Sequence, residues 1–177
     1  VIFGVMGLVN FAHGALITVG AMMAVVLDAS PVVVVTLVAL LVPVLVALVT
    51  ERLAFRSLRS ADPATLLITS FAVGYMLQNL VLLAMGSLPQ GVDVLPGLSE
   101  QGQVGATSST VLSLVTIAVT LRLLLSRGFF LGRTTLGVRM RAAAEDFEMA
   151  RCLGVRADSV IALAFAISGV LAGVAAL

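Results

Sequence analysis

Long uncharged stretches recur along this chain, separated by short polar connections. Val1–Leu27 has no charge apart from His13, and Val32–Val49 is apolar but for Thr36 and Pro43. Ala64–Met85 is uncharged throughout. Val104–Leu121 is a fourth stretch, reaching Leu125 if Arg122 snorkels, and Ser159–Leu177 is a fifth. Each is close to the ~20 residues that an α-helix needs to cross about 30 Å of hydrocarbon. The pattern predicts an all-α, polytopic transmembrane helical bundle with about five spans. Residues 1–177 are expected to form one membrane domain, incomplete at both ends, because the chain begins at Val1 rather than Met and stops at Leu177 inside an apolar run. No single short apolar segment with a cleavage site stands apart at the start, which excludes a signal peptide.

The connections divide by charge. Arg52, Arg56 and Arg59 fall in segment 50–63, and Arg122, Arg127, Arg133, Arg139, Arg141, Arg151 and Arg156 fall in or beside segment 122–158. Segments 28–31 and 86–103 hold Asp28, Asp93 and Glu100 and no basic residue. With the arginine segments on the cytoplasmic side, the spans alternate in direction without exception.

Three places break the apolar monotony. Asn10-Phe11-Ala12-His13-Gly14 interrupts the first stretch. Either a new span starts near Asn10 after the tail of an earlier helix, or one helix is broken inside the membrane, where polar backbone is tolerated only within protein or along a wet path. Gly86–Gly105, with Pro89 and Pro96, reads as an irregular surface segment on the outer side. On the inner side Arg127–Asp158 is the sizeable polar region. There Thr134 or Thr135 suits the N-cap of a short helix over Leu136–Ala144, and Asp146 suits the N-cap of Phe147–Leu153, closed by Gly154. On that second helix Met149, Cys152 and Leu153 share a face, while Glu148 and Arg151 pair on another. So short an amphipathic helix needs a surface to lie on.

Composition narrows the function. Hydrophobic residues make up 60% and charged ones 11%, against roughly 45–50% and about 25% in ordinary globular chains. All ten basic residues are Arg, so neither a phosphate-loop lysine nor a Schiff-base lysine exists in this chain. The net charge of +1 leaves no nucleic-acid footprint. Cys152 is the lone cysteine, which excludes an internal disulfide and a multi-cysteine metal site, and the lone histidine, His13, is far from it in sequence. No acid lies within a predicted span, which argues against an integral membrane enzyme and against an ion-coupled carrier or channel working alone. Energy is expected from a partner.

Asn10-Phe11-Ala12-His13-Gly14 after Phe3-Gly4-Val5-Met6 resembles the N-terminal signature of the branched-chain amino acid ABC transporter permease family, in its LivH-like subunit. Glu51 to Arg59 with Asp62-Pro63 is similar to that family's first cytoplasmic loop, and Met76-Leu77-Gln78-Asn79 to its LQN-type span. Thr135-Leu136-Gly137 through Arg141-Ala142, then Glu148-Met149-Ala150 and Leu153-Gly154-Val155, resemble its long cytoplasmic loop. Ser57 departs from the family's usual Pro, Phe71-Ala72-Val73-Gly74 from a Gly-Leu-Ser pattern, and Met149 from the middle Ala of the coupling motif.

The resemblance implies a multi-pass permease subunit in the cytoplasmic (inner) membrane of a bacterium, importing branched-chain or other hydrophobic amino acids. It implies no enzyme activity and no cofactor of its own, ATP being used by separate ABC ATPase subunits. A second permease subunit, a periplasmic or extracellular substrate-binding protein and membrane lipid are the other implied partners, with no nucleic acid. Glu148, Met149, Ala150, Cys152, Leu153 and Gly154 would form the helix that couples to the ATPase. Asn10, His13, Gln78 and Asn79 are candidates for the substrate pathway, and equally for hydrogen-bonded packing. Gly169 and Gly173 suit close helix packing, internal or to a partner. A same-fold permease for urea, short amides or another small solute is the alternative.

Overall fold

The computed structural model describes residues 10–58, 61–86, 101–104 and 107–177. Its architecture is helical, with one two-stranded hairpin. Helix α1 (Ala12–Val26) leads through a tight turn into α2 (Val32–Thr50). A π turn (Glu51–Phe55) and a 3-10 turn (Arg56–Leu58) prolong α2 without a break, and α3 (Pro63–Met85) follows. Strands β1 (Gln101–Val104) and β2 (Thr107–Thr110) pair antiparallel, Gln101 opposite Thr110. Then come α4 (Val111–Arg133), α5 (Thr135–Glu145), α6 (Phe147–Cys152) and α7 (Ala157–Ala176).

Among the described residues, four helical segments are long and apolar enough to cross a membrane: Val32–Leu58, Ala64–Met85, Ser113–Arg133 and Ser159–Ala176. The first expected span is shorter than its hydropathy suggests. Helix α1 has 15 residues, about 22 Å at 1.5 Å per residue, short of the ~30 Å of a bilayer core. The fourth span also differs from expectation, because the helix runs over Val111–Arg133 rather than Val104–Leu121. Thr107-Ser108-Ser109-Thr110 pairs as strand β2 instead. The segment expected to be irregular over 86–105 therefore ends in strand β1, while residues 87–100 lie outside the described residues. Segment 50–63 differs as well: it is helical as far as Leu58.

Packing of α7 on α2 holds the bundle together. A methyl group built on Gly169 would stand 2.6 Å from Val44 Cα, and one on Gly173 would stand 2.8 Å from both Ala39 O and Leu40 Cα. Since position 169 meets 44 and position 173 meets 39 and 40, the two helices run antiparallel. Pro43 lies inside α2 and lacks the N–H that would bond the Ala39 carbonyl. Gly173 faces that freed oxygen with no side chain between them, since an added Cβ would stand 2.8 Å from it. Lipid is as apolar as the side chains, so such close van der Waals contact, rather than the hydrophobic effect, drives helix association here. Gly20 of α1 fits between Ala176 and Pro43 by the same device.

The antiparallel pairing gathers Arg52 and Arg56 of the α2 extension with Arg156 before α7 at one end of the bundle, where α5 also packs on α7. One continuous core there includes Phe55, Leu66, Met140, Ala143, Ala150, Val160, Ile161 and Phe165. Helix α4 has no buried residue in its membrane-length window. It leaves an apolar groove of about 690 Å³ against the end of α7, lined by Val115, Val119, Leu123, Leu171 and Val174 among others.

Candidate functional site

Helix α1 begins in the middle of the bundle. Phe11 and Ala12 back onto Gly74, where an added Cβ would come within 3.3 Å of Ala12 Cα and Phe11 O. Gly74 lies midway along α3. His13 Nδ1 and Ser168 Oγ share a hydrogen bond of 2.9 Å, and Ser168 lies midway along α7. Helix α1 thus starts within the Asn10–Gly14 interruption. Residues 1–9, the expected tail of an earlier helix, lie outside the described residues.

Asn10 explains why α1 starts there. Its side-chain Oδ1 accepts from the Ala12 N–H at 3.1 Å, and its backbone carbonyl accepts from the His13 N–H at 3.3 Å. Two donors that a helix start leaves free are thereby satisfied at a depth where water is scarce. The Asn10 Nδ2 is buried and has no hydrogen-bond partner among the described residues. Phe11 meets Phe71 of α3 edge-on, the ring centroids 6.2 Å apart and the planes at 78°. Phe71 and Gly74, the departures in α3, are therefore the residues on which the start of α1 rests.

Gln78 and Asn79 follow one turn further along α3. The buried stripe of α3 is Leu66, Ser70, Gly74 and Leu77, facing α1. Gln78 lies outside that stripe and is exposed, alongside exposed Phe71 and Tyr75. The Asn79 Nδ2 donates back to the Tyr75 carbonyl at 2.7 Å, so this amide is occupied on its own helix. The four candidate pathway residues therefore do not converge on one cluster. Asn10 and His13 make local and interhelical bonds at the start of α1, and Gln78 alone is presented outward. Ser168, the partner of His13, was not singled out from sequence; its signal was a hydroxyl in the otherwise apolar run from Val160 to Ala176.

At the arginine-bearing end, both short helices are capped. The Thr134 Oγ1 accepts from the Gly137 N–H at 3.0 Å and donates to the Phe130 carbonyl at 2.7 Å, joining α4 to α5. Gly137 is packed against Phe130 and Leu131, with no room for a side chain. Asp146 Oδ1 accepts from the Met149 N–H at 2.9 Å. Helix α6 closes with Gly154 at φ 83° and a bond of 3.0 Å from the Val155 N–H to the Ala150 carbonyl, a closure in which a left-handed residue ends the helix. Ala150, 3% exposed, attaches α6 to the core. Met149 is 58% exposed and Leu153 78% exposed, and Cys152 is exposed and free. The shared apolar face thus points away from the bundle. The side chains of Glu148 and Arg151, and their expected pairing, lie outside the described residues.

Gly169 and Gly173 serve packing within the chain, on α2. Among the described residues no group of three or more His, Cys, Asp or Glu side chains is placed to hold a metal ion.

Residues 1–177 match the family described as branched-chain amino acid transport system / permease component. The chain is 32% identical over 190 residues to the high-affinity branched-chain amino acid transport system permease protein BraD of Pseudomonas aeruginosa, covering 99% of this chain and 62% of BraD. It is 31% identical over 191 residues to the permease protein LivH of the corresponding system in Salmonella typhimurium, covering 98% of this chain and 61% of LivH. LivH of Escherichia coli K12 is equally similar, with the same coverage. The chain therefore spans about three-fifths of the length of these relatives. No solved structure matches it significantly.

Proposed function

The chain belongs to the branched-chain amino acid transport permease family, and we propose that it acts as a membrane-spanning permease subunit of an ATP-driven importer of branched-chain amino acids. The family match over the whole chain carries this reading. The subunit sits in the cytoplasmic membrane of a bacterium, its arginine-bearing end inward. Separate ATPase subunits hydrolyse ATP, a second permease completes the pore, and a binding protein delivers substrate from outside. The chain holds no cofactor of its own.

Helix α6 is the coupling helix in this reading. Its support is the exposed face of Met149, Cys152 and Leu153 at the inward end, an apolar face turned away from the bundle and free to be covered by another subunit. Glu148 borders that face in sequence, and Gly154 permits the sharp exit into α7. The substrate path runs past the exposed side of α3. Gln78 there lies within the span, where an exposed amide is costly against lipid, while Asn10 and His13 stand apart from it at the start of α1.

The test is uptake by whole cells carrying the intact importer, with and without the permease gene. Loss of ATP-dependent leucine, isoleucine and valine uptake on deletion is the expected result. Loss of urea or short-amide uptake instead would overturn the substrate assignment. Uptake that persists after depletion of ATP would overturn the importer itself. Leu153→Asp, with Glu148→Arg as a second variant, is expected to release the ATPase while membrane insertion stays intact; unchanged ATP-driven uptake in both would refute the coupling role of α6.

A further inference from the structure

We propose that the π turn Glu51–Phe55 is the joint through which movement of α6 reaches the membrane helices, with Phe55 as its positioning residue; the proposal rests on α6 being the coupling helix.

The turn arises from how α2 is buried. Val35, Ala39, Pro43 and Ala47 are buried at every fourth position, and Glu51 and Phe55 continue the series. An α-helix turns once in 3.6 residues, so each four-residue step overshoots by about 40° and the buried row drifts off its partner. A π turn winds more slowly, which keeps Phe55 on the buried side with Glu51. The Arg56 N–H donates to the Glu51 carbonyl, the five-residue bond of such a turn. Glu51 is 5% exposed and Phe55 3%. A buried acid and a large aromatic thus occupy the place where the helix changes to five-residue bonding. Such turns concentrate at functional sites.

What surrounds the turn links it to α6. The Phe55 ring lies 5.2 Å from that of Phe165 on α7, the planes inclined by 47°. Both belong to the core that also holds Met140 and Ala143 of α5 and Ala150 of α6. Helix α6 packs on α5, α5 packs on α7, and α7 meets the π turn. A push on the exposed face of α6 therefore has a packed route through Ala150 and the base of α7 to Phe55. Further into the membrane the glycine contacts at 169 and 173 clamp α7 to α2. Helix α2 is thus fixed above the turn and gripped by Phe55 at it, which concentrates bending at residues 51–55.

The experiment uses the full-length permease in its complete importer, reconstituted in proteoliposomes with the binding protein present. Leucine transported per ATP hydrolysed is measured for Phe55→Ala, Phe55→Leu and Leu153→Asp. Phe55→Ala is expected to lower that ratio roughly three- to thirtyfold, with ATPase subunits still bound in full stoichiometry, and Phe55→Leu to lower it by a smaller factor. Transport and ATP hydrolysis falling in proportion, or a ratio unchanged in Phe55→Ala, would overturn the proposal. If Phe55→Ala does not assemble, Phe55→Leu and Phe165→Leu, which keep the core filled, decide it: a lowered ratio in both supports the joint, and an unchanged ratio in both rejects it. Loss of ATPase binding in Leu153→Asp together with normal coupling in the Phe55 variants rejects the joint and keeps the coupling helix. Normal ATPase binding and coupling in Leu153→Asp reject the coupling helix itself.

Discussion

Replacing Gly169 by Ala tests the packing on which the bundle depends. The new methyl would stand 2.6 Å from Val44 Cα, 3.0 Å from Pro43 O and 3.0 Å from Val44 N, all backbone atoms that cannot swing aside. Carbon atoms rest about 3.5–4.0 Å apart, so α7 and α2 must separate by ~1 Å. The separation also loosens the Gly173 contact with Ala39 and Leu40 one turn away. Overpacking of this kind costs about 1–3 kcal/mol, and in a membrane no hydrophobic gain offsets lost contact. Ala is also the better helix former by about 1 kcal/mol, so the control is Gly128→Ala on α4, where the methyl enters open space. Titration of the purified protein with SDS in mixed micelles, followed by circular dichroism, reports both. Gly169→Ala is expected to unfold at lower SDS than wild type, and Gly128→Ala at the same or higher SDS. Equal midpoints for the two variants would refute the claim that α7 packs on α2 through its glycines. The double variant Gly169→Ala with Gly173→Ala should cost less than the sum of the singles, because once the helices part the second methyl finds room.

Ser168→Ala removes the partner of His13 and should cost ~0.6 and at most ~1.7 kcal/mol in the same titration; a midpoint unchanged by it would mean that the bond contributes nothing. Thr134→Ala deletes the cap of α5 and should weaken that helix by about 1 kcal/mol, seen as faster hydrogen exchange at the Gly137 amide, with exchange as slow as in wild type counting against the cap. Cys152 is exposed at the arginine-bearing end, so a membrane-impermeant maleimide should label it in inside-out vesicles and not in intact cells. Labelling in intact cells would reverse the proposed orientation.

Hydropathy located the membrane helices because transfer into lipid is a local property of each residue, summed along the segment. Helix termini follow a different rule. They sit where a side chain can take over the backbone bonds that the helix leaves unmade, which is why Thr134, Asp146 and Gly154 were legible as caps at the polar end. The same rule set a boundary that hydropathy misplaced. Asn10 is a poor interruption by hydropathy and a good cap by chemistry, so α1 starts beside it and has 15 residues. A second boundary moved because residues 107–110 pair as a strand, so that α4 starts at Val111.

Partners across the bundle were the least legible part, because a single polar atom in an apolar helix does not say what it meets. Ser168 and His13 are 155 positions apart in sequence, and nothing local to either predicts the other. Small residues gave partial guidance. Gly169 and Gly173 announced a close contact, and the four-residue spacing of Ala39, Pro43 and Ala47 marks the facing stripe on α2. That spacing does not match the α-helical period, and the mismatch is resolved in the structure by the π turn. The irregularity that hydropathy passes over is therefore a consequence of packing. It lies at the arginine-bearing end of the bundle, as does the helix proposed to receive the ATPase, so its place in the fold and its proposed role have one physical origin.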